Sequence, residues 1–97
     1  MDKIMTVSLA FDHKEEGTIL VGINPELDSL TYPEIEAMIG ERIVLKSDSD
    51  ETIHRVQSIQ ISTSMANKKN IGICIGKNVA AKDIQVGSVV YRVKESG

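Results

Sequence analysis

Apolar residues recur at every second position in most segments of this chain. Residues Ile4 to Phe11 alternate, with Met5, Val7, Leu9 and Phe11 on one side and Thr6, Ser8 and Ala10 on the other. A period of two is the signature of a half-buried strand. Thr18 to Ile23 repeats it with Ile19, Val21 and Ile23, after the polar turn Asp12–Gly17. Further strands are predicted at Glu41–Lys46, Thr52–Thr63, Ile71–Gly76 and Ser88–Val93. In the long fourth segment Val56 falls on the opposite parity from Ile59, Ile61 and Thr63, so a bulge or bend is expected near residues 55–58. In the fifth, Ile71, Ile73 and Ile75 point inward and Gly72, Cys74 and Gly76 the other way. In the last, Val89, Tyr91 and Val93 share a face.

One segment breaks the period. Asn24-Pro25 stops the second strand, because proline has no amide hydrogen for a ladder. Thr31-Tyr32-Pro33-Glu34 then has capping-box spacing, with Pro33 in the first turn, where an amide would have no partner. Ile35, Met38 and Ile39 fall on one helical face, and Gly40 follows as a stop. The spacing predicts a two-turn helix over Pro33–Ile39, too short to stand without packing on the sheet. Six strands and one helix make a small mainly-β antiparallel barrel or sandwich, as a single domain over residues 1–97.

Composition agrees with a strand-rich core. Aromatic residues are 3% of the 97 and tryptophan is absent, so the core is aliphatic and rich in Ile and Val. The net charge of −3 argues against a dedicated DNA or RNA binder, since such modules neutralise phosphates with an excess of cations. A single cysteine, Cys74, excludes an internal disulfide and a cysteine-based metal site. No apolar run is long enough to span a membrane, and no secretory pattern opens the chain, so a cytoplasmic location is expected.

The ordered glycines and aliphatics then resemble a known family. Gly17-Thr18-Ile19-Leu20-Val21-Gly22-Ile23, Ile39-Gly40-Glu41-Arg42-Ile43-Val44-Leu45, Val56-Gln57-Ser58-Ile59-Gln60, Ala66 ahead of Ile71-Gly72-Ile73, and Asp83-Ile84-Gln85-Val86-Gly87-Ser88-Val89 occur in that order. The series is similar to the β-barrel second domain of translational GTPases such as elongation factor Tu, over residues 17–93. The resemblance implies a six-stranded translation-factor-type barrel, with contacts to tRNA ends or ribosomal RNA. Three features depart from it. Asn24–Met38 looks like an insertion, Lys68 stands where the family has a turn glycine, and no GxxxxGK[ST] phosphate loop is present.

Candidate chemistry is sparse. His13 and His54 lack a second ligand at metal spacing, Cys74 sits between isoleucines, and Asp48-Ser49-Asp50-Glu51 lacks the glycine and distant glutamate of a calcium loop. No catalytic residue, metal site or cofactor is therefore expected. Lys68, Lys69 and Lys77 would form a phosphate-contacting patch if their loops met at one barrel end. Leu30 and Tyr32, beside the helix, form a candidate partner surface. The expected function is a non-enzymatic binding module contacting RNA, a ribonucleoprotein or a translation-related protein, with no DNA or membrane partner. The alternatives are a regulatory adaptor or small inhibitor that binds a basic protein through the acidic Ser47–Glu51 turn, and a detached accessory domain of a larger enzyme.

Overall fold

In the computed structural model, residues 2–93 are described. They form seven strands and one helix: β1 (Lys3–His13), β2 (Gly17–Ile23), α1 (Tyr32–Ile39), β3 (Arg42–Lys46), β4 (Glu51–Arg55), β5 (Ser58–Thr63), β6 (Lys69–Gly76) and β7 (Val89–Arg92). Short 3-10 turns lie at Pro25–Leu27 and Ala81–Asp83. All strands belong to one antiparallel sheet in the order β4-β3-β7-β1-β2-β6-β5. The mainly-β expectation holds, with seven strands in place of six. The long fourth segment is a bent pair: β4 ends at Arg55 and β5 begins at Ser58. The corner between them reaches both ways, with the Val56 amide donating to the Glu41 carbonyl and the Gln57 amide to the Cys74 carbonyl, each at 2.8 Å. The two terminal strands of the sheet are thus joined through two residues.

The core lies on one face of the sheet. Ile4, Met5, Val7, Leu20, Ile43, Leu45, Ile71, Ile73, Ile75 and Val90 point into it. Each fully buried side chain of this size contributes about 1.5–3 kcal/mol. Ile71, Ile73 and Ile75 face inward as their spacing requires. Three other segments do not follow the simple alternation. The register of β1 against β2 shifts between Val7 and Leu9, so Ser8 is an extra residue, a bulge that reverses parity. Met5 and Val7 are buried, while Leu9 and Phe11 turn to solvent and Ala10 packs on the core instead. In β2 it is Leu20, not the Ile19, Val21 and Ile23 series, that joins the core, and in β7 it is Val90, not Val89 and Tyr91. These strands carry apolar side chains on both faces, so alternation alone does not say which face is inside.

The 24–38 segment, with Ile39 at the end of its helix, is part of the core. Leu27, Ile35 and Ile39 are buried against the inner sheet face. Asn24 is buried too: its side-chain amide donates to the Ile4 carbonyl (3.0 Å) and its oxygen accepts from the Glu26 amide (3.1 Å). The capping box is present. The Glu34 amide donates to the Thr31 hydroxyl (3.3 Å), and the Thr31 amide donates to the Glu34 carboxylate (3.0 Å). That amide, then the Thr31 hydroxyl, hold the Glu34 pKa below its usual value. Removing the cap by Thr31→Ala lowers stability by about 1 kcal/mol, read as a lower urea midpoint at unchanged slope.

Two glycines at positive φ let the β1–β2 turn approach β6. Gly17 has φ +94°, and a Cβ there would lie 2.3 Å from the carbonyl carbon and oxygen of Gly76. Gly76, at φ +88°, would meet the Gln57 side-chain amide at the same distance. The β1–β2 turn can therefore sit against the end of β6 and the Val56–Gln57 corner only without side chains there. Gly17→Ala costs on the order of 2 kcal/mol or more, from backbone strain and a clash with main chain, and equilibrium urea unfolding reads it.

Candidate functional site

The residues singled out from sequence do not converge. Lys68 and Lys77 flank β6 at its two ends, which are roughly 25–30 Å apart at about 3.3 Å per residue. The condition for a shared Lys68, Lys69 and Lys77 patch is not met. Lys69 is also engaged within the fold: its amide donates to the Asp28 carboxylate (3.0 Å) and its ammonium to the Asp28 carbonyl (2.6 Å). This ties the start of β6 to the first 3-10 turn. Leu30 is half-buried against the core, and the Tyr32 hydroxyl donates to the Ile59 carbonyl of β5 at 2.7 Å. Both residues help to dock α1 on the sheet.

The remaining polar candidates have local partners. His13 Nδ1 accepts from the Glu15 and Glu16 amides (3.2 Å each) and closes the β1–β2 turn. Cys74 is buried and its thiol donates to the Glu16 carbonyl (3.2 Å). In the β3–β4 turn the Asp50 amide donates to the Ser47 hydroxyl at 3.1 Å. The buried Thr18 hydroxyl lies between the Val79 carbonyl and the Asp12 carboxylate, which also accepts from the Ala81 amide (3.0 Å). That carboxylate holds the 79–81 segment against the β1–β2 hairpin. Among the described residues, no group of three His, Cys, Asp or Glu is placed to hold a metal ion, and no helix is long and apolar enough to cross a membrane.

The sheet pairing assembles a different surface. Ile43 and Leu45 face the core, so Arg42, Val44 and Lys46 lie on the opposite face, the two cations exposed and Val44 buried between them. Their partners follow them: Arg55 opposite Arg42, Ile53 and Tyr91 opposite Val44, Glu51 and Val89 opposite Lys46. Lys3 pairs with Tyr91 and shares its face. The result is a row Ile53–Val44–Tyr91–Lys3 edged by Arg42, Arg55 and Lys46, with Glu51 as the acid on these rows. Lys3, Arg42, Lys46 and Arg55 are all exposed, in a chain of net charge −3. A cleft of about 270 Å³ opens beside Lys46 and Tyr91, between the β3–β4 turn and residues 85–88. On the other half of the same face Leu9, Val21 and Gly72 form one row and Phe11, Ile19 and Cys74 the next. Leu9, Phe11 and Ile23 are 53%, 40% and 46% exposed. The outer face is thus basic at one side and apolar at the other.

Sequence reasoning missed the basic half. The alternation Arg42-x-Val44-x-Lys46 held a signal, since it sets both cations opposite in parity to Ile43 and Leu45. That Tyr91 and Lys3 lie beside them depends on β7 pairing with both β3 and β1, which no local pattern encodes.

His54 adds a pH dependence. It points to the inner side of β4, with Nε2 2.8 Å from the Thr52 hydroxyl, and burial lowers its pKa from 6.5. The fold favours neutral imidazole, so the unfolded chain takes up the proton first as pH falls. The contribution of His54 is complete above pH 6.5 and is lost as pH drops below it toward the folded pKa. Urea midpoints should therefore fall between about pH 7 and pH 5, and His54→Gln should flatten that part of the curve. An equal slope in the variant would remove His54 as the cause. Compared with family models, curated proteins and solved structures, the chain matches none.

Proposed function

We propose that this chain is a non-enzymatic binding module with a translation-factor-type barrel as its frame, and that its outer sheet face contacts a ribonucleoprotein. The cluster of Lys3, Arg42, Lys46 and Arg55 around Tyr91 carries this reading. Phosphate contact needs exposed cations, and on the paired rows four cations stand against one acid, Glu51, with the acidic β3–β4 turn and its Asp48 bordering the cleft. The ring of Tyr91, beside the cleft, offers a flat surface for a base. The adjoining apolar rows of Leu9, Phe11, Val21 and Ile23 suit protein rather than nucleic acid. A ribonucleoprotein presents both kinds of surface side by side. The motif series over residues 17–93 agrees with such a role, and the cytoplasm would be its setting. A protein partner without RNA is the second reading, favoured by the apolar rows alone.

Fluorescence anisotropy with labelled tRNA and ribosomal RNA fragments tests the RNA contact across a salt series. Three or four phosphate contacts give a slope of about −2 to −3 in log affinity against log salt. Arg42→Glu/Lys46→Glu lowers affinity at least about tenfold, while Lys77→Ala stays within about twofold. Absence of binding at about 50 mM salt would remove the RNA contact and leave the protein reading.

A further inference from the structure

Strand β4 lies at one end of the sheet and, among the described residues, pairs with β3 alone. The ladder fixes which of its backbone groups are free. The Ser47 amide donates to the Asp50 carbonyl at the turn, and the Val56 amide donates to the Glu41 carbonyl at the other end, both at 2.8 Å. Hydrogen-bonded and non-bonded pairs alternate in an antiparallel ladder. Leu45 with Thr52 and Ile43 with His54 are then the bonded pairs. Glu51, Ile53 and Arg55 consequently turn their amides and carbonyls away from β3. β4 has no proline and its register with β3 runs without a bulge; its guards are its shortness and the charges of Glu51 and Arg55, and past Arg55 the Val56–Gln57 corner turns the chain onto β6. The central residue of β4, Ile53, is 62% exposed.

We infer that β4 pairs antiparallel with β4 of a second copy of this chain, about a two-fold axis through Ile53. The segment Glu51-Thr52-Ile53-His54-Arg55 is complementary to its own reverse. In that register Glu51 of each copy faces Arg55 of the other, Thr52 faces His54, and Ile53 faces itself. The residues brought into hydrogen-bonded positions are Glu51, Ile53 and Arg55, whose backbone groups have no partner among the described residues. Opposite charges across strands stabilise such a ladder and like charges oppose it. Shifting the axis to Thr52 or His54 sets Ile53 against Glu51 or Arg55 and loses both charge pairs, so the charges select one register. The outward apolar row Tyr91–Val44–Ile53 then runs on through the axis into the same row of the second copy. The interface is self-complementary, as two-fold pairing demands. A five-residue ladder buries far less than the roughly 1,200 Å² of a stable complex, so the dimer forms reversibly as concentration rises.

This pairing is independent of the proposed ligand and is measured without RNA. Sedimentation equilibrium of the free protein from about 10 µM to about 1 mM should show a mass rising from 10.6 kDa toward twice that value. Glu51→Arg and Arg55→Glu each set like charges opposite one another at both symmetric positions and weaken self-association by about tenfold or more. An equimolar mixture of the two variants restores association to the wild-type level, because every cross-strand pair then has opposite signs. In the wild-type protein the Ile53 amide gains protection from hydrogen exchange as concentration rises, a readout that does not depend on either variant folding. A mass of 10.6 kDa at about 1 mM, a mixture no more associated than its components, or an Ile53 amide indifferent to concentration would each overturn the inference.

Discussion

The ladder between β1 and β2 slips by one residue at Ser8, and the character of both sheet faces follows from that slip. Before it, Met5 and Val7 fill the core; after it, Leu9 and Phe11 stand in solvent beside Val21 and Ile19. A strand keeps its alternation of faces only while its register is unbroken, so one extra residue exchanges the inner and outer sets. Without the slip, Leu9 and Phe11 would turn to the inner face and Ala10 to the outer one. With it, the core closes on aliphatics from β2, β6 and α1, and an aromatic and a leucine are left over for the outside.

A second constraint acts at the other end of β2. Gly17 and Gly76 bring the β1–β2 turn against the end of β6, and Gln57 packs on Gly76. The same corner joins β4 to β5 through Val56 and Gln57, so the sheet's terminal strands are held together where the glycines are. Local order here serves position. The Asp12 carboxylate holds the 79–81 segment, and Lys69 holds the 24–30 segment through Asp28. Polar side chains that could be read as chemistry are used as ties, because buried backbone groups between strands must find partners.

The functional proposal rests on what those ties leave free. Arg42, Lys46 and Arg55 come from the β3–β4 hairpin, and Lys3 comes from β1, remote in sequence and one strand removed from β3 in the sheet. Lys3 joins the other three only because β7 pairs with both β3 and β1. The free edge of β4 borders the same face. Pairing there would join two basic faces into one wider surface, which links the assembly of the protein to the size of target it can cover.

The sequence by itself determined the mainly-β class, the helix and its capping box, the bend between Arg55 and Ser58, and the inward set Ile71, Ile73 and Ile75. These depend on contacts within a few residues, or on a segment with apolar side chains on one face only. The tertiary structure alone decided which face of β2 and β7 is inside, where β1 reverses, and which cations meet. In β2 and β7 both faces are apolar, so alternation is degenerate and only the neighbouring strands break the tie. Lys68 and Lys77 look close in sequence, yet a fully extended strand holds them at opposite ends. Lys3 and Lys46 look remote, and strand order brings them to one face, since a sheet converts sequence distance into proximity through pairing that no local pattern specifies.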